Sequence, residues 1–188
     1  MVDPRAMTTT PTPIGLEAAA VPRQRGTAGS GRVRRRPRRM PPFCLEGLDG
    51  CDLEPVGAVE ARWMSAQREL ALDLCDGAAD SQTLAQVLTR VHHAWERQPC
   101  RPDPILLTAM FGLAVGDLLV RRVPGLGWVL MTDGRTAELA LTHAHAELAV
   151  FPLSAVAQRW SLEADGDWLL PYVEQVVVAV RAALATPA

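Results

Sequence analysis

Trp128-Val129-Leu130-Met131-Thr132-Asp133-Gly134-Arg135-Thr136-Ala137-Glu138-Leu139-Ala140-Leu141 is the stretch that decides the fold. Apolar side chains recur at every second position on both sides of Asp133-Gly134, and Asp-Gly between two such runs is a strong signal for a two-residue hairpin turn. With Thr132 opposite Arg135, Leu130 faces Ala137 and Trp128 faces Leu139. Those four and Leu141 share one face, while Val129, Met131, Glu138 and Ala140 share the other. The turn and the hydrophobic pattern thus agree on two antiparallel strands.

Towards the C-terminus, His143-Ala144-His145-Ala146 reads as the next turn and Glu147-Leu148-Ala149-Val150-Phe151 as a third strand. Pro152 ends it, and Leu153 to Trp160 reads as a short helix. A last helix carries Leu169, Val173, Val176, Val177, Val180 and Leu184 at helical spacing.

Towards the N-terminus the period changes to that of helices. Val59, Trp63, Ala66, Leu70 and Leu74 form one stripe, and Leu84, Val87, Leu88, Val91 and Trp95 form another, with Asp80 or Ser81 as its cap. Pro104 to Leu119 is apolar on nearly every side, which predicts a helix buried on every side. Gly112 and Gly116 lie four apart on it, although glycine costs about 1 kcal/mol against alanine in a helix; another element is expected to approach the backbone there. Residues 43–55 read as an irregular lead-in. The fold class is α+β: three N-terminal helices, a small three-stranded antiparallel sheet and two C-terminal helices.

The chain has 188 residues and a net charge of −2, with a hydrophobic content of 48%. That suits one domain plus some unstructured chain and excludes a large multidomain enzyme. The charge is split. Residues 1–42 hold nine arginines against Asp3 and Glu17, a net of +7, and residues 43–188 hold ten arginines against nineteen acids, a net of −9. Residues 1–42 lack periodic apolar positions and read as a disordered Arg-rich arm; residues 43–188 read as a single α+β domain. Met40 precedes the compositional change, so residues 1–39 are expected to be either a mis-called start or a dispensable arm. The complete lack of lysine, beside abundant Ala, Arg, Gly and Pro, points to a GC-rich bacterial genome. No apolar run reaches the ~18–20 residues needed to span a bilayer, and no apolar segment follows Arg38-Arg39 as an export signal requires; a cytoplasmic protein is expected.

Phe111 to Trp160 resembles a bacterial family known as a domain of unknown function. The residues that carry the resemblance are Gly116-Asp117, Gly125-Leu126-Gly127-Trp128-Val129, Thr132-Asp133, His143, and Val150-Phe151-Pro152-Leu153-Ser154. The family has a few more residues after the aspartate, whereas a tight turn is expected here. The resemblance implies a fold and supplies no activity.

The sequence holds no phosphate loop, dinucleotide fingerprint, catalytic triad or metal quartet, which lowers the expectation of an enzyme. His143 and His145 project to one side of an extended chain and with Asp133 could ligate a metal for a metal-assisted hydrolase; a polar turn is the plainer reading. His92-His93 is expected on a solvated helix flank. Cys44, Cys51, Cys75 and Cys100 form no C-x-x-C pair and read as free thiols. Ser154 has no nucleophile elbow around it and reads as a helix cap. Asp117 closes an apolar helix and needs a partner, for which Arg121, Arg122 and Arg159 are the candidates. The function expected is a non-catalytic protein-interaction module, of the immunity or accessory-factor kind, without a cofactor. Its partner is a basic protein, with a homodimer left open, and the contact residues are Trp128, Trp160, Asp117 and Asp133. The metal-assisted hydrolase is the alternative. Nucleic-acid association through the Arg-rich arm is a further one, disfavoured by the acidic body.

Overall fold

The computed structural model of the chain describes residues 43–44, 50–132, 136–162 and 165–185. Two strands come first, β1 (Phe43–Cys44) and β2 (Asp52–Pro55). Helices α1 (Ala58–Leu74), α2 (Ser81–Glu96) and α3 (Ile105–Arg122) follow. Then come β3 (Leu126–Thr132), β4 (Ala137–His143) and β5 (Ala146–Val150), and the chain closes with α4 (Pro152–Trp160) and α5 (Leu169–Ala185). The class is α+β. The three-stranded sheet expected from the sequence is corrected: the sheet is antiparallel with five strands in the order β1-β5-β4-β3-β2. The lead-in supplies both outer strands, so the first three helices are not the first elements. Two and four residues are too short for an alternation to show.

The hairpin keeps its faces and changes its pairing. Thr132 lies opposite Ala137, Leu130 opposite Leu139 and Trp128 opposite Leu141. The register differs by two from the one expected, and the expected Asp133-Gly134 turn lies outside the described residues. A shift of two residues leaves every side chain on its face. Trp128, Leu130, Leu139 and Leu141 pack towards the helices, while Val129, Met131 and Ala140 join Ala149 and Phe151 in a cluster of their own.

Helix α3 is the centre of the fold. It packs against all four other helices and against β3, and Phe111, Leu113, Val115 and Leu119 are fully buried. The glycine pair explains how it is approached so closely. A Cβ on Gly112 would lie 2.5 Å from the Leu153 backbone of α4, and one on Gly116 would lie 2.2 Å from Cζ2 of Trp128.

Helix α1 is rotated from the expected stripe. Met64 and Ala71 are buried, whereas Val59 is 78% and Leu70 45% exposed. Asp80 caps α2, its Oδ1 accepting from the Gln82 and Thr83 amides at 2.9 Å. These bonds, the one to the Thr83 amide above all, hold its carboxyl below the ordinary value. His92, expected on a solvated flank, is buried at 3% exposure, because its Nε2 lies 3.0 Å from the carbonyl of Trp160 at the end of α4. His93 is exposed. Among the described residues no helix is long and apolar enough to cross a membrane.

Candidate functional site

The last turns of α3 carry Gly116-Asp117 towards the sheet, and β3 returns along the same helix. Because Gly116 has no side chain, the Trp128 ring lies against the α3 backbone. That places its Nε1 2.9 Å from Oδ1 of Asp117, to which it donates. From α1, Arg68 reaches the same carboxylate with a forked pair of bonds, Nε to Oδ2 at 2.7 Å and Nη2 to Oδ1 at 2.9 Å. Two parallel N–H donors on two oxygens make the strongest geometry open to an ion pair. The bond to Asp117 raises the Arg68 guanidinium further above its ordinary value.

Two of the four contact residues expected from the sequence, Asp117 and Trp128, thus belong to one cluster that ties together α1, α3 and β3. Asp117 accepts three hydrogen bonds, which hold its carboxylate in one position between the three elements. Its partner is Arg68, not the arginines proposed for it. Arg121 donates to the carbonyl of Ala79, and Arg122 pairs with Glu174. Arg159 sits 5.2 Å from the Trp168 ring centroid. Arg68 was out of reach of local reasoning because it lies 49 residues from Asp117.

Trp160 is placed differently from the exposed anchor expected. Only 4% of it is accessible, and its ring is enclosed by His92, Trp95 and Phe111 at centroid distances of 4.7, 5.7 and 6.2 Å. It belongs to the core, since α4 ends against the apolar face of α2. Asp133 lies outside the described residues.

The histidine pair is held by its own backbone. The amide of His145 donates to Nδ1 of His143 at 3.1 Å, and Nε2 of His143 lies 3.2 Å from the Pro124 carbonyl. An acceptor Nδ1 requires the proton on Nε2 in the neutral ring, which then donates to Pro124. Both nitrogens are thereby engaged in closing the β4–β5 turn over the α3–β3 connection. Gly125, at φ +86°, leaves the space that the ring fills: a Cβ there would meet Nε2 at 2.5 Å. Among the described residues no group of three or more His, Cys, Asp or Glu is arranged to hold a metal. Ser154, read as a cap, instead donates to Glu138 of β4.

Beside the Arg68–Asp117 pair lies a small cavity between α1 and α3, also lined by Arg121. In the sheet, β2 is an outer strand. All four of its residues are exposed, including Asp52 and Glu54, with Leu53 at 45%.

Residues 87–172 match a family model described as a domain of unknown function (DUF3806). The resemblance of Phe111–Trp160 to an uncharacterised domain family falls inside that range. A solved structure from Bacteroides thetaiotaomicron VPI-5482 is similar over 67% of this chain, with a TM-score of 0.51 and 14% identity. The match covers 47% of that protein, so this chain spans about half its length, and the likeness is one of fold. No curated protein matches the sequence.

Proposed function

We propose that the chain is a non-catalytic protein-interaction module of the bacterial cytoplasm that engages a basic partner through the β2 edge. The observation that carries this reading is β2 itself. Among the described residues it pairs with β3 alone, all four of its residues are exposed, and Leu53 stands between Asp52 and Glu54. An open strand edge offers backbone donors and acceptors to an added strand, and alternate side chains give specificity. The charges choose the partner. Two copies of this edge would bring Asp52 and Glu54 near like charges, which opposes self-pairing, whereas a strand bearing Arg or Lys gains opposite-charge cross-strand pairs.

The experiment is photocrosslinking in the native host. A benzoylphenylalanine is placed at residue 53 and, as a control, at the exposed Val178 on α5. The partner captured at 53 is then purified, and its association is timed against the wild type and Leu53→Pro. Association is expected to slow as salt rises, since complementary fields are screened over about 8 Å at physiological ionic strength. Leu53→Pro is expected to stay folded and to lose the partner. A folded Leu53→Pro variant that binds normally, or an on-rate indifferent to salt, would end the reading.

A further inference from the structure

We infer that the cavity between α1 and α3 binds a small carboxylate carrying a short aliphatic body, independently of the β2 edge. The cavity holds about 110 Å³ and is mostly apolar, its walls formed by Ala71, Ala79, Ala114 and Leu72. Three alanines keep the space open where larger side chains would close it. Its polar rim is made of Arg68, Arg121 and Asp117. Those three charges sum to +1, on a folded part that is otherwise strongly acidic. Asp117 does not repel an incoming anion at full strength, because the forked pair with Arg68 and the indole of Trp128 already balance it.

The guanidiniums retain capacity. Among the described residues, Arg68 bonds Asp117 through Nε and Nη2, and Arg121 bonds the Ala79 carbonyl through Nη2. Each guanidinium has five N–H donors in a fork that matches a carboxylate. One ligand oxygen pair at the rim and a few carbons against the alanines would satisfy both halves of the cavity, as small-molecule sites generally combine apolar walls with a few oriented polar groups. A free short-chain acid and the C-terminal aliphatic residue of a peptide present this same chemistry.

The test titrates the full chain with butyrate, with N-acetyl-Ala-Val and with uncharged 1-butanol, followed by amide NMR shifts. Saturable shifts at Ala71, Leu72, Ala79 and Ala114 are expected for at least one of the two carboxylates and not for butanol. Tighter binding of butyrate assigns the site to a free acid, and tighter binding of the dipeptide to a chain terminus. Arg121→Gln is expected to weaken binding about tenfold or more, as loss of a charged hydrogen bond does. Ala79→Leu, which fills the cavity, is expected to abolish it. Two outcomes would overturn the assignment: no saturable shift from either carboxylate up to about 10 mM, a concentration well above weak-ligand affinities, or unchanged binding in both folded variants.

Discussion

Trp128 on β3 and Asp117 on α3 are joined by a 2.9 Å bond from indole nitrogen to carboxylate oxygen, and the contact exists because Gly116 leaves the helix surface bare. Arg68 then completes the carboxylate's shell from a third element. Removing the carboxylate should therefore disturb all three. Asp117→Ala is expected to lower stability in denaturant titration by about 1–3 kcal/mol, less than the loss typical of a fully buried pair. The Arg68 side chain is still 36% exposed, so water screens the guanidinium left behind. Replacing the pair together, Arg68→Met with Asp117→Leu, should recover part of the loss.

The two glycines of α3 should respond differently to alanine. Each gains about 1 kcal/mol of helix propensity, against overpacking that usually costs about 1–3 kcal/mol. At Gly112 the obstacle is the Leu153 Cα at 2.5 Å, which cannot move without moving α4. At Gly116 it is the outer rim of the Trp128 ring. Gly112→Ala should thus be the more damaging in thermal melts. Trp128→Phe, which removes that rim, should lessen the cost of Gly116→Ala in a double-mutant cycle.

Acid should loosen the start of α2. The Asp80 carboxyl is held below its ordinary 3.8, so its contribution is present above that pH and is lost as pH falls through the depressed folded value. Wild type should lose stability on titration from about pH 4 downward more steeply than Asp80→Ala, which starts lower and lacks this slope. Parallel pH slopes for the two proteins would remove the cap from the account.

Thiol labelling should report burial. Cys100 is exposed and Cys75 buried, and burial pushes the Cys75 thiol up, away from the reactive thiolate. With iodoacetamide at pH 8, mass spectrometry should find Cys100 modified first and Cys75 only on unfolding. Rapid alkylation of Cys75 in the native protein would contradict its placement.

Long periodic segments were legible in the sequence. Helix α3 reads as buried all round and is so from Met110 to Leu119 apart from half-buried Asp117, whereas Ile105 and Leu106 in its first turn are 64% exposed. The hairpin faces survive a shift of two in pairing because strand periodicity is itself two. Helix α1 was misread because its inner face carries Gln67 and Arg68 beside Met64 and Ala71, while Val59 and Leu70 point outward. A polar residue turned inward to serve a distant carboxylate looks, in sequence, like a surface position. His92 was missed for a related reason: its acceptor is a backbone carbonyl at the far end of α4, and no side-chain pattern announces it. Asp117 and Trp128 were singled out separately; their junction needed the third dimension.

The outer strands of the sheet have a kinetic consequence. Phe43–Cys44 and Asp52–Pro55 form the two opposite edges, with Cys44 beside Ala149 and Pro55 beside Val129. The inner strands are joined by short local turns and so can close early, whereas distant pairings carry a larger loop-closure cost and form slowly. On the ribosome the edge-forming segment emerges before either of its partners exists. β2 must therefore wait for β3, and β1 for β5, so these two early strands are expected to be the last secured to the sheet.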